Sequence, residues 1–420
     1  MSWAQVEFHD LELGDARRTA RLIRLVDDLS AQPTGSIPLA CGGWPETKAA
    51  YRLLDNPAVE WREILEVHTT RTVKRMVGQP VVLCLQDTTE LDFTSQPGIA
   101  GLALGVLDAW MWARKPKDQP DVKESTRWIE GYEIVADLAE TVPAIRLVYV
   151  ADREGDLRAL MDAAARRGAP ADGLIRSRHN RKTTTGEKLW ERLAQSTPLG
   201  EVEFILSAAP DRPARLVRQT LYHQAVTLSA HHGQPAVTVT AILAREEQPP
   251  AGEKAITWRL LTNRTADTLG DVVQLIDWYR KRWLIEIFFR IWKSGCRVEA
   301  LQLGTLERLE QALVVYLIIA WRILHLVTWG RNCPQLPCDV VFDAEEWQAA
   351  WMVAYRTKPP EIPPPLGQVV RLIAGFGGFL GRKQDGIPVL KRSGKECKKS
   401  ERLPLRWRPA APCMPVTDKL

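Results

Sequence analysis

Apolar residues recur at helical spacing through the first 75 positions. Leu22, Leu25, Val26 and Leu29 mark one face of a helix expected over 15–29, and Arg17, Arg18, Arg21 and Arg24 share another. Asp15, after Gly14, suits its N-cap. Further helices are expected over 45–54, with Pro45 in a first-turn position, and over 61–76. The pattern changes at Pro80. Residues 81–85 form a continuous apolar run closed by Gln86, Asp87, Thr88 and Thr89, which marks a buried strand with a carboxylate at its C-terminal end. Residues 104–112 predict another strand, 123–140 a helix, and 145–150 a second buried strand leading into Ala151-Asp152-Arg153-Glu154. A helix over 156–167 and a third buried strand over 173–178 complete an α/β core.

Residues 183–262 change character. Short β-rich runs at 202–207, 214–219, 224–229, 236–243 and 256–261 are separated by Gly, Pro and polar breaks, so a β-rich subdomain inserted in the core is expected. One long helix is expected over 267–295 and another over 306–329. Residues 359–365 (PPEIPPP) predict a stiff linker, followed by a short helix over 367–374.

Length and charge refine this picture. A chain of 420 residues suits two or three domains. With 45% hydrophobic and 25% charged residues, a disordered chain, collagen and a coiled-coil rod are excluded. The most apolar stretch, 312–321, is half the length of a membrane span (about 20 residues) and predicts a buried helix; no membrane association is expected. The N-terminus is acidic without an apolar core, so no secretory leader is expected. Seven irregularly spaced Cys form no disulfide framework, and the expectation is a cytoplasmic protein. The net charge of +5 is uneven: residues 382–420 alone carry +7, so DNA binding would fall to local basic faces.

Several chemistries fail at this level. There is no GxxxxGK[S/T], the glycines near 375–378 do not follow a strand, and the His residues are scattered. What remains is a set of carboxylates. Asp87 and Asp152 each end a buried strand of one core, where open α/β sheets place their sites. At about 100° per residue, Tyr279, Arg282, Trp283, Glu286 and Lys293 fall on one arc of about 100° on a uniform helix. A carboxylate, cations, a phenol and an indole on one face suit metal and phosphate binding. The same spacing also suits a charged solvent face with Glu286 in helix ion pairs.

The ordered string Tyr279-x2-Arg282-x3-Glu286-x6-Lys293 resembles the signature of the IS4 group of DDE transposases, the Tn5-like enzymes. The segments WAQVEFHDLELGDARRTARL, CGGWPETKAAYRLLDNP, QDTTELDF and VADREGD are similar to the same family, and the likeness runs from about residue 3 to 388. It implies an RNase H-like core carrying the β-rich insert at about 183–262, within a catalytic domain at 76–343. A helical N-terminal DNA-binding domain at 1–75 would precede it. A small, mostly helical dimerisation-like region at 344–420, ending in a basic irregular tail, would follow.

The resemblance also implies roles. Asp87, Asp152 and Glu286 would form the catalytic metal-binding triad for two Mg²⁺ ions, with Mn²⁺ as a substitute. Tyr279, Arg282 and Lys293 would grip phosphate, Arg176, Arg178 and Arg181 would touch end DNA, and Trp258 and Trp283 would hold a flipped base. Arg17, Arg18, Arg21, Lys48 and Arg52 are the N-terminal DNA-binding candidates. The implied activity is cut-and-paste transposition: nicking of transposon ends, hairpin formation and strand transfer to target DNA, by a homodimer in a synaptic complex at the bacterial nucleoid. Two departures from the family are visible. The interval from Asp87 to Asp152 is only 65 residues, about one strand short of a core meander, and residues 391–420 lack the family's helical C-terminus. The alternatives are a non-catalytic, end-binding remnant that lost a core strand, or a junction-cleaving RNase H-like nuclease.

Overall fold

The structure, a computed structural model, describes residues 2–88, 101–111, 124–206, 213–231 and 233–376. The basic tail, Trp112 and residues 98–100 of the shortened interval lie outside these described residues. In chain order, α1 (Trp3–Glu7), α2 (Ala16–Ala31), α3 (Ile37–Cys41), α4 (Trp44–Leu54) and α5 (Trp61–Met76) precede β1 (Val81–Leu85). Then come α6 (Glu124–Thr141), β2 (Arg146–Ala151), α7 (Arg158–Arg166), β3 (Asp172–Arg176) and α8 (Leu189–Ala194). Strands β4 (Gly200–Leu206), β5 (Arg215–Leu228), β6 (Val237–Glu246) and β7 (Thr257–Thr262) follow. The last helices are α9 (Leu269–Lys281), α10 (Trp283–Arg290), α11 (Leu306–Asn332), α12 (Ala344–Tyr355) and α13 (Leu366–Phe376). Two compact units divide the chain: Met1–Val77 with Ala100–Trp112 and Ile287–Leu420, and Gly78–Ile99 with Ala113–Glu286.

The second unit is built on a seven-stranded sheet of order β1-β2-β3-β7-β6-β5-β4. The apolar runs expected to be buried strands form β1, β2 and β3, which pair in parallel; the other pairings are antiparallel. The β-rich runs extend this same sheet, and two of them, 214–219 and 224–229, merge into the single long strand β5. Val148, Val150, Leu174, Ile242 and Leu260 are fully buried against Leu275 and Ile276 of α9. Helix α6 fixes the end of β1. The Tyr149 hydroxyl lies 2.9 Å from both Gln86 Oε1 and the Trp128 carbonyl, and Gln86 Nε2 donates to the Arg127 carbonyl at 3.0 Å. At Gly131 the helix passes so close that a Cβ would stand 1.8 Å from Gln86 Oε1.

The first unit is helical. Asp15 Oδ1 caps α2 by accepting from the Arg17 amide at 2.8 Å, and Leu22, Leu25, Val26 and Leu29 are its buried face, as the periodicity predicts. Helix α11 has the length and apolarity to cross a membrane, but 89% of its most apolar stretch is buried, which makes it the core helix of this unit.

Residues 101–111 do not form the expected strand. Their backbone groups are taken by side chains of α5 and α11. His68 Nε2 accepts from the Val106 amide at 3.0 Å, Arg75 Nε donates to the Leu104 carbonyl at 2.6 Å, and Trp321 Nε1 and His325 Nδ1 reach the Ala103 carbonyl at 3.0 and 2.6 Å. With these groups satisfied by helices, there is no drive to pair in a sheet. Among the described residues, β1 therefore has one neighbour, β2. The second difference lies at 267–295. The expected single helix tightens at Arg282, whose amide donates to the Tyr279 carbonyl at 3.0 Å, and widens into a π-helical turn at Ile291–Gly295.

Gly131→Ala is expected to push the Gln86 amide off its partners and to cost about 1–3 kcal/mol. Urea unfolding would measure it, and an unchanged midpoint would show that Gln86 yields without loss. A second expectation concerns acid. His68 and His325 are fully buried, and each accepts at Nε2, from Val106 and from Trp329 Nε1 at 3.1 Å, so each is neutral with its proton on Nδ1. Burial holds both rings below the usual histidine range, His325 down to about 3. The unfolded chain takes up these protons near its ordinary pKa while the folded one resists. Stability is therefore full above about pH 6.5 and declines below it, by about 1.4 kcal/mol per pH unit for His325, with His68 adding in the same direction. Urea midpoints from pH 7.5 to 5 test this, and His325→Gln, which cannot titrate, should show the shallower profile.

Candidate active site

Parallel pairing sets the geometry. Val81 pairs with Arg146 and Leu85 with Val150, and the Gln86 amide continues the ladder by donating to the Val150 carbonyl at 3.0 Å. The same offset brings Asp87 opposite Asp152, just beyond the carboxyl ends of two adjacent strands. Strands in such a pair lie about 4.8 Å apart. The turns after these strands are tied together. Asp152 Oδ1 accepts from the Glu154 amide at 2.8 Å, and Thr88 Oγ1 donates to Glu154 Oε2 at 3.1 Å.

Helix α10 supplies the third carboxylate, and Arg282, at the tight turn before it, joins two of the three. Its Nη1 donates to Asp87 Oδ2 and its Nη2 to Glu286 Oε1, each at 2.5 Å. Arg282 is 11% exposed and Asp87 15%. Burial raises the Asp87 carboxyl; Arg282 opposes this, but Asp152 and Glu286 add their repulsion, and the result is about 6. Glu286 is raised as well, chiefly by burial, against the pull of Arg282. Burial works against the Arg282 charge, yet Tyr279, Asp87 and Glu286 outweigh it and hold the guanidinium protonated. Tyr279 is buried beside it, and its hydroxyl has no hydrogen-bond partner among the described residues.

The remaining residues singled out in the sequence divide. Arg176 ends β3 and lies within electrostatic reach of Tyr279. Arg178 is exposed, whereas Arg181 is bound to Asp156 at 2.5 Å. Trp258, on β7, stacks on Phe204 with ring centres 5.7 Å apart and packs against the cluster that contains Tyr279. Trp283 is half-buried at the first position of α10. Lys293 does not continue a uniform helix face: it lies in the π turn, belongs to the other unit and pairs with Glu299 at 3.6 Å. Arg17, Lys48 and Arg52 are exposed in the helical unit, Arg21 is half-buried, and Arg18 donates to the Leu13 carbonyl at 2.8 Å. Gln86, Thr88, Glu154 and Asp156 escaped the sequence reading, although all four lie within the two motifs that carry Asp87 and Asp152.

No three His, Cys, Asp or Glu side chains form a ready metal cage among the described residues. Arg282 takes the place of a cation between Asp87 and Glu286. The donor set nevertheless fits a hard divalent ion: it is all carboxylate, and the raised Asp87 and Glu286 carboxyls show an unmet need for positive charge.

Three families match in order along the chain. Residues 1–59 match the transposase DNA-binding family, 135–322 the transposase DDE domain, and 318–394 the Tn5 transposase dimerisation domain. The DDE match includes Asp152 and Glu286 and begins after Asp87. The mixed α/β sheet fits the RNase H-like fold of such a domain, and the flanking matches support DNA as a partner and dimer formation. Matched at its DNA-binding, DDE and dimerisation segments in that order, this chain belongs to the IS4/Tn5-like DDE transposases.

Proposed function

We propose that the chain is a metal-dependent, cut-and-paste DNA transposase whose reacting groups are Asp87, Asp152 and Glu286. The single observation that carries the reading is Arg282 bridging Asp87 and Glu286, with Asp152 following the end of the strand paired with the one that Asp87 follows. Asp87, Asp152 and Glu286 would hold two Mg²⁺ ions, or Mn²⁺. Bound there, the ions would activate the attacking oxygen and stabilise the leaving one. Arg282, released from the carboxylates, is placed to bind the phosphate at the cut, and Tyr279 offers an unused hydroxyl beside it. Arg176 and Arg178 would contact end DNA. Trp258, backed by Phe204, would take the base flipped out for hairpin formation, and Trp283 is the second aromatic proposed for that step. Residues 1–75 would bind transposon ends, 76–343 would perform cleavage and transfer to target DNA, and 344–420 would pair two copies in the synaptic complex. Such a protein works at the nucleoid of a bacterial cell.

A second reading, a non-catalytic end-binding remnant, draws on one observation. Residues 101–111 pack with the helical unit, and β1 has a single neighbour among the described residues. Two-metal chemistry tolerates little displacement of Asp87. A Mg²⁺-dependent nick on a duplex carrying an end of the DNA element that encodes the chain separates the two. End binding without any nick would leave the remnant.

Asp87→Asn, Asp152→Asn and Glu286→Gln should each lower nicking by at least about 100-fold. End affinity should be nearly unchanged, because phosphate contacts by Lys and Arg dominate it. Normal nicking by Glu286→Gln would sink the assignment. Arg282→Ala should abolish nicking yet tighten Mn²⁺ binding by about tenfold, since removing the guanidinium leaves the carboxylates without a counter-charge. Calorimetric titration with Mn²⁺ alone measures this, and unchanged or weaker binding would show that Arg282 does not stand in the cation's place.

A further inference from the structure

Asp156 lies four residues beyond Asp152, and its side chain has 0% exposure. Every hydrogen bond that this side chain makes among the described residues reaches the segment leaving β3. Its Oδ2 accepts from Ser177 Oγ at 3.0 Å, from the Arg178 amide at 2.6 Å and from the His179 amide at 2.8 Å. Its Oδ1 accepts from Arg181 Nη1 at 2.5 Å, and Arg181 Nη2 donates to the Asp156 carbonyl at 2.7 Å. A carboxylate that takes two successive amides fixes the direction of the backbone as well as its place. From the other side, the Ser177 amide donates to the Arg259 carbonyl of β7 at 2.7 Å. Arg181 is the ion-pair partner of Asp156, and the neighbouring cation Arg158 is held instead by the Ser229 carbonyl at 3.2 Å and by the Pro235 carbonyl.

We propose that Asp156 is a positioning residue: it locks the basic segment 177–181 onto the turn carrying Asp152, so that Arg178 and His179 face DNA while Arg181 serves as its counter-ion and not as a DNA contact. The two sides of the clamp explain the choice. One is the turn that presents Asp152; the other carries the exposed side chains of Arg178 and His179. Fixing one against the other sets the distance between a held phosphate and a reacting carboxylate. This inference rests on the transposase reading of the site and reassigns Arg181 within it.

The test uses the full chain and two independent readouts. In free protein, Asp156→Asn should speed amide exchange at Arg178 and His179 by about tenfold or more, while β2 and β3 keep their protection. No change at these amides would overturn the proposal, and so would loss of protection throughout β2 and β3, which would mark Asp156 as a general fold anchor. On DNA, affinity for a duplex carrying an end of the DNA element that encodes the chain is measured against salt. Arg178→Ala should reduce the slope of log K against log salt by about 0.9, the value for one phosphate contact, and Arg181→Ala should leave it unchanged. An equal reduction by Arg181→Ala would show a phosphate contact and overturn the proposal. If the unaltered chain binds no such duplex, the transposase reading fails, and amide exchange alone still decides the role of Asp156.

Discussion

Three carboxylates in a partly buried site repel one another, and Arg282 is the cation that offsets this. Its two donors reach Asp87 and Glu286, and Asp152 follows the end of the strand paired with the one that Asp87 follows. Without the guanidinium, the buried carboxylates would take up protons near neutral pH, as the rise of Asp87 to about 6 already foreshadows. Removing one partner from a buried pair costs about 3–5 kcal/mol, because the other is left charged and unpaired. The helix turns tightly at Arg282, where these two ion pairs are made. A uniform α-helix would not have needed to tighten there, and the tightening separates α9, which packs on the sheet, from α10, which presents Glu286.

The rest of the second unit holds that arrangement in place through strand register and hydrogen bonds. The register of β1 on β2 sets Asp87 against Asp152, and Gln86 ties the end of β1 to α6. The Thr88–Glu154 hydrogen bond joins the two turns, and Asp156 joins the second turn to the segment after β3. These links are short and polar; those of Gln86 and Asp156 are partly buried, and that of Thr88 is exposed. Such links fix angles that apolar packing alone leaves loose.

The helical unit handles buried charge differently. Glu7 is fully buried, yet His68 at 2.6 Å and Arg75 at 2.9 Å hold its carboxyl down at about 2 against the cost of burial. His68, Arg75 and His325 each also bond to the backbone of 101–111. Here hydrogen bonds among Glu7, His68 and Arg75 order an irregular segment. At the candidate active site, Tyr279 is left with an idle hydroxyl, and Arg282 is paired with carboxylates that a metal ion would also claim. The first arrangement suits a structural joint; the second suits a site whose partners exchange during a reaction.

Local pattern alone determined much of this protein. The 3.6-residue period set α2, α4 and α5 within a residue or two, and unbroken apolar runs set β1, β2 and β3 with Asp87 and Asp152 just past their ends. Those features depend on which face of a segment is buried, and burial is written in the order of residues. Tertiary structure decided what the pattern could not carry. Residues 104–111 read as a strand, but the backbone of 103–106 is captured by His68, Arg75, Trp321 and His325, which come from helices before and after it. The helix over 267–295 is interrupted at Arg282, whose guanidinium answers to Asp87, 195 residues away in sequence. Arg181 stands in a basic run, and its guanidinium is held by Asp156, 25 residues earlier in the chain. In each case a polar group takes a partner distant in sequence, and periodicity records that a position is buried without recording what it is buried against.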